Sequence, residues 1–357
     1  MIQSRIYLDH AATTPVLPEA RAAMAAAMER WANPSSPHAE GRAAKAALEQ
    51  VRSGVADALG WRHDLIFTSG ASEAVAIVAS RTTLPRRLVG ATEHEVVPYH
   101  MGDQAVSLGV DAGGLIDRDA LGEALVGDPA LVAVQQVNNE TGIIQSLEAV
   151  AEQVRAAGGL LLADCAQAAG KIDLPDADFI AISAHKFGGP PGIGALLIKD
   201  LANLLPSGGQ EKGYRRGTQN LPAIAGMAAA LESGAHCAAI PRLTLLRERL
   251  EQGVRAFGGT IIGHCSDRIP AISSIALPNA SKDSLLVQLD LAGIAVSAGS
   301  ACSSGKMKAS RVLAAMGVPP VIADGALRVS FGPQTSERDI DAFLAAFAAI
   351  VERRRAA

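Results

Sequence analysis

Short apolar runs alternate with Ala-rich stretches of helical period along most of the chain, the pattern of an α/β protein. Pro18 to Trp31 reads as a helix with Pro near its start, stopped by Asn33-Pro34. A second helix is predicted from about His38 to Leu59. The run Leu65-Ile66-Phe67 then leads through Thr68-Ser69-Gly70-Ala71-Ser72-Glu73 into another helix: strand, small-residue turn, helix. Four more strands are predicted in this half, over Arg87 to Ala91, Leu131 to Val137, Leu160 to Ala163 and Phe179 to Ile182. Each ends on polar residues: Glu93-His94, Asn138-Asn139-Glu140, Asp164 with Gln167, and Ser183-His185-Lys186. In an open, mainly parallel sheet, ligands bind outside the carboxyl ends of the strands. Five such ends predict one pocket; scattered helix caps account for one or two of these residues, not for all.

A helix is predicted from Thr218 to about Ser233 and a longer one from Pro241 to Phe257. After Gly258-Gly259, short strands (Ile272 to Leu277, Ile294 to Val296, Ala326 to Phe331) alternate with helices. The predicted organisation is a large domain over 13–240, with a mainly parallel sheet covered by helices, and a smaller C-terminal α/β domain over 241–357. Residues 1–12 are expected to pack with the smaller domain.

Composition narrows the function classes. The 357 residues, 49% of them hydrophobic, suffice for two or three domains and a large core. Lys plus Arg is 32 and Asp plus Glu is 36, a formal net charge of −4, and no long basic run stands out. That argues against nucleic acid or an anionic membrane as partner. No stretch matches the roughly 20 apolar residues of a spanning helix. The N-terminus carries an early acid and no apolar core segment, so no signal peptide and a cytoplasmic setting are expected. Cys165, Cys237, Cys265 and Cys302 form no C-x-x-C pair, hence neither a disulfide framework nor a zinc signature. For the first three, packing as small hydrophobes is the expectation.

Ser183-Ala184-His185-Lys186-Phe187-Gly188-Gly189-Pro190 places a lysine just after an apolar strand. Burial lowers a lysine's proton affinity and makes its amine a usable nucleophile, as in Schiff-base lysines. By itself the stretch also fits a surface lysine. Asp164, at the end of the preceding strand, decides between the two. Pyridoxal phosphate acts as an electron sink while its ring nitrogen stays protonated, and a carboxylate keeps it so. The Gly70-Ala71-Ser72 turn before a helix supplies backbone N–H groups and a hydroxyl for a phosphate.

With these residues the chain resembles the cysteine desulfurases of the nitrogen-fixation and iron–sulfur-cluster type, in the class V aminotransferase group. The resemblance runs from Tyr7-Leu8-Asp9-His10-Ala11-Ala12-Thr13-Thr14-Pro15 through Thr92-Glu93-His94, Asn138-Asn139-Glu140-Thr141-Gly142 and Ser183-Ala184-His185-Lys186. It closes with Arg216-Gly217-Thr218, Ser297-Ala298-Gly299-Ser300-Ala301-Cys302 and Leu327-Arg328-Val329-Ser330. It implies an aspartate-aminotransferase-like fold (fold type I), pyridoxal 5′-phosphate as cofactor and a homodimer.

Carried over by motif, Lys186 would be the Schiff-base lysine and Asp164 the pyridinium partner. Gln167 and Asn139 would lie near the phenolic oxygen and the substrate, and His94 would stack on the ring and move a proton. Ala71, Ser72, Ser183 and His185 would hold the phosphate, joined by Thr218 from the other subunit. Arg328 would clamp the substrate carboxylate, helped by Asn33; a structural ion pair is the alternative for Arg328. Cys302, among Gly and Ser residues that suit a travelling nucleophile, would take sulfur from L-cysteine, leaving L-alanine and a persulfide. The persulfide would pass to an acceptor such as an iron–sulfur scaffold. No metal is expected in the enzyme itself, although Cys302 could ligate a cluster iron together with a scaffold.

Val75, Ala76 and Cys165-Ala166 depart from the family's commoner residues. Little sequence follows the last predicted helix, which leaves open whether a scaffold docks through an extended tail. The competing readings are a selenocysteine lyase or another class V enzyme, and, more remotely, a non-catalytic member that binds a partner.

Overall fold

The computed structural model describes residues 5–29, 31–299 and 309–356. Its strands are β1 (Ile6–Tyr7), β2 (Asp64–Thr68), β3 (Arg86–Gly90), β4 (Val106–Leu108), β5 (Ala130–Gln135) and β6 (Leu160–Asp164). They continue as β7 (Phe179–Ser183), β8 (Gly194–Ile198), β9 (Thr260–Ile262), β10 (Ile272–Ala276), β11 (Ile294–Ala295) and β12 (Ala326–Ser330). Seven form the central sheet, in the order β2-β8-β7-β6-β5-β3-β4. Pairing from β4 across to β7 is parallel, and β8 runs against both of its neighbours. The fold is the expected α/β fold with a mainly parallel sheet flanked by helices. Strands β5, β6 and β7 are covered on both faces, which is why they read as continuous apolar runs.

Two smaller sheets follow. Strands β12-β10-β9 are antiparallel, and β1 pairs in parallel with β11. Asp9 also bridges to Ser330, so the N-terminal strand runs along elements from the far end of the chain.

Helix Ala39–Ala58 buries Gly41, Ala44, Leu48 and Val55, one face at helical spacing, and His38 caps it by accepting from the Gly41 amide. Truncating Leu48 to Ala would cost about 2–5 kcal/mol. Among the described residues no single helix is long and apolar enough to cross a membrane.

Several expectations change at their edges. The helix predicted from Thr218 starts at Leu221, because Asn220 caps it by accepting from the Ala223 amide. The helix predicted from Pro241 begins at Ala235, leaving Pro241 inside it. The buried faces of His236 and Ala239 extend the helix upstream despite the hydrogen bond that proline removes. The boundary expected at 240/241 therefore falls within a continuous helix. Cys165 is buried as expected, whereas Cys237 and Cys265 are exposed, one on the outer side of that helix and one in the loop after β9. Packing does not account for those two.

Candidate active site

The ends of β2, β3, β5, β6 and β7 open onto one cavity of about 410 Å³. Of the residues predicted for the site, Ala71, Ser72, His94, Asn139, Asp164, Gln167, Ser183, His185, Lys186 and Arg328 line it. Asn33 and Thr218 do not; both are exposed, and the Asn33 side chain accepts from the Ser35 amide. Cys302 lies outside the described residues.

One end of the cavity is a turn. Gly70 adopts φ 156° and ψ 179°, open to glycine alone, at the start of helix Ala71–Arg81. A Cβ at Gly70 would stand 3.4 Å from the Ser183 hydroxyl, so the missing side chain leaves a cradle between that hydroxyl and the helix N-terminus. Gly194 is needed for the same approach: a Cβ there would lie 2.3 Å from the Ile182 carbonyl and 2.7 Å from Gly70 Cα. Glu73 closes the turn by accepting from the Ser69 amide at 2.5 Å, and it meets Arg215 at 3.3 Å. His185 contacts the Thr13 hydroxyl at 3.2 Å. Burial and the nearby Lys186 and Lys171 hold its pKa down to about 4, so near neutrality its ring is uncharged. Helix N-terminus, hydroxyls and imidazole form a donor set suited to phosphate.

In the middle of the cavity, Asp164 Oδ1 accepts from the Ala166 amide at 2.9 Å. Burial raises the Asp164 pKa, partly offset by that amide, His94 and Lys186. A cationic N–H beside it would stabilise its charged form, which is what a pyridinium nitrogen provides. His94 Nδ1 accepts from the Val96 amide at 3.3 Å, which puts the proton of the neutral ring on Nε2. Burial lowers its pKa, against the pull of Asp164. Lys186 Nζ donates to the carbonyls of Ala11 and Ala12 at 2.7 and 2.8 Å. The Gln167 amide also donates to Ala11, at 2.8 Å. The donor set, the cradle and the buried acid all fit pyridoxal phosphate.

Arg328 closes the cavity. Its Nη2 pairs with Asp9 at 2.8 Å and its Nη1 donates to the Asn139 carbonyl at 2.9 Å. The ion pair foreseen as an alternative thus exists, in a side chain that also lines the cavity and whose Nε has no partner among the described residues.

Sequence reasoning missed the backbone carbonyls of Ala11 and Ala12, and Gln135, Lys171 and Glu93. Gln135 lines the cavity and donates to the Thr92 carbonyl at 2.5 Å. Glu93 accepts from the Gln135 amide at 2.7 Å; burial holds it well above the carboxylate range. Ala11, Ala12 and Glu93 fall within the Tyr7-to-Pro15 and Thr92-Glu93-His94 motifs, whereas Gln135 and Lys171 lie in neither.

The family model for class-V aminotransferases matches residues 6–343, and the chain belongs to that family. Within it, the chain groups with the cysteine desulfurases. It is 38% identical to the cysteine desulfurase of Cereibacter sphaeroides, covering 99% of this chain and 97% of that one. Identity to the cysteine desulfurase of Gluconacetobacter diazotrophicus is 35%, over 98% of this chain and 94% of the other. The crystal structure of a NifS-like protein from Rickettsia africae superposes with a TM-score of 0.86 at 30% identity, covering 98% of this chain and 99% of that one.

Proposed function

We propose that this cavity binds pyridoxal 5′-phosphate and removes sulfur from L-cysteine, giving L-alanine and a persulfide on Cys302. The observation that carries the reading is the convergence of Lys186, Asp164, His94 and the Gly70 turn on one cavity. Ala71, Ser72, Ser183 and His185 would hold the phosphate, Asp164 would support a protonated ring nitrogen, and Lys186 would supply the amine for the aldehyde. Bound there, the cofactor supplies an electron sink next to the substrate's amine-bearing carbon.

Arg328 and Asn139 orient the substrate carboxylate, and His94 holds or moves a proton at Nε2. The Cys302 thiolate attacks the substrate sulfur: an S–S bond forms and the C–S bond breaks. The electron pair stays with the carbon, which is then protonated to give alanine. Thr218, exposed and outside its own subunit's cavity, suits a homodimer in which it completes the partner's phosphate site. The reading includes a cytoplasmic setting and onward transfer to an acceptor such as an iron–sulfur scaffold.

Protein loaded with pyridoxal phosphate and given L-cysteine and a thiol reductant should release alanine and sulfide in equal amounts. Accumulation of pyridoxamine phosphate in place of both would make it a transaminase. A kcat/KM for selenocysteine far above that for cysteine would make it a selenocysteine lyase.

A further inference from the structure

Lys171 lies behind the cavity, 5% exposed, and the reading above gives it no task. Its Nζ donates to Gln167 Oε1 at 3.4 Å. Gln167 Nε2 donates in turn to the Ala11 carbonyl, which also accepts from Lys186. The order of this chain is forced. A carbonyl only accepts, so the Gln167 N–H groups must face Ala11 and its oxygen must face Lys171. An ammonium only donates, so it holds the amide in that sense.

Among the described residues, no acid faces Lys171 to favour its charged form. The titratable groups that face it are His10, His185, His236 and Lys186, all basic. Burial, with Lys186 nearby, brings its pKa down to about 7. A methionine would fill the same space without that penalty.

We propose that Lys171 is a positioning residue of the active site, which acts by fixing the side-chain amide of Gln167 against the Ala11 carbonyl that holds Lys186. The inference rests on the reading of Lys186 as the amine that engages the cofactor. Without Lys171 the amide can turn over, and the donor that shares Ala11 with Lys186 is lost. Below about pH 7 a positive charge behind Lys186 goes with it.

A double-mutant cycle on the cofactor-loaded enzyme tests this. Lys171→Met should lower kcat about tenfold and raise the pH midpoint of the visible absorbance by about half a unit, since a nearby positive charge is removed. In a Gln167→Ala background the same substitution should change kcat less than about twofold. Lys171→Gln keeps a donor for Gln167 Oε1 and should restore most of kcat; it also carries the test if the methionine variant does not fold. A folded Lys171→Met enzyme with wild-type kcat and midpoint would overturn the proposal, as would a full tenfold loss in the Gln167→Ala background. Failure of the underlying reading looks different: Lys186→Ala would then keep the visible absorbance and still release alanine, whatever Lys171 does.

Discussion

Lys186 and Gln167 donate to the same atom, the carbonyl oxygen of Ala11, at 2.7 and 2.8 Å. The reactive amine is thus held by the N-terminal segment, which is tied by β1 to β11 and by Asp9 to Arg328. Residues more than 170 positions apart in the chain meet at this carbonyl. Lys186→Ala should leave that segment in place and remove the amine, so turnover of cysteine should be lost while the melting temperature stays near wild type. Normal alanine release from the folded variant would remove Lys186 from the mechanism.

Asp164 sits at the end of β6, where burial penalises its charge and the Ala166 amide, His94 and Lys186 offset that penalty only in part. That environment suits a cationic partner. Asp164→Ala should keep some cofactor and lose more than about tenfold in kcat, which is more than about 1.4 kcal/mol of transition-state stabilisation. Steady-state kinetics decide it: a smaller loss means the ring nitrogen has no need of this carboxylate.

The basic groups behind the cavity predict an acid limit to stability. Burial, with the nearby Lys171, lowers His10 to about 4 and His236 to about 3, against an ordinary value of 6.5. Between about pH 6.5 and those values the unfolded chain binds more protons than the folded one. Stability therefore falls as pH drops through this window, by up to about 1.4 kcal/mol per unit for each group. His236→Gln should lose less melting temperature than wild type between pH 6.5 and pH 4. Equal losses would show that His236 is protonated in the folded protein.

Much of this was legible in the sequence, for identifiable reasons. Strands β5, β6 and β7 are buried on both faces, so their apolar runs stand out, and the polar residue closing each run lies at the cavity. Strand β8 went unseen because Gly188 to Gly192 reads as one long turn that runs on into Gly194–Ile198. The acceptors for Lys186 are backbone carbonyls, and no side-chain pattern announces them. Arg328 could be read as a clamp or as an ion pair. Geometry shows the ion pair with Asp9 in a side chain that also lines the cavity, a result that residue type alone could not give.

The exposed Thr218 carries the dimer prediction. Lys186→Ala subunits mixed with Thr218→Ala subunits should form hybrids in which one site holds both defects and the other neither. Activity should recover to a level set by the fraction of hybrids. No recovery, with subunit exchange demonstrated by mass, would confine each phosphate site to its own chain.

Sulfur capture by Cys302 defines the reaction, and Cys302→Ser isolates that step. A hydroxyl keeps the size of the thiol but is a far weaker nucleophile than a thiolate. Burial pushes the Cys165 thiol well above its usual pKa, so that neighbour of Asp164 is held as an inert thiol. The measurement is the intact and peptide mass of cofactor-loaded protein after L-cysteine, taken together with alanine release. A persulfide on Cys302 is expected in the wild type, and in Cys165→Ser, Cys237→Ser and Cys265→Ser. Cys302→Ser should give neither persulfide nor alanine, with the cysteine-induced change in visible absorbance intact. A persulfide on Cys165 in the Cys302→Ser protein, with alanine still released, would make Cys165 the nucleophile instead.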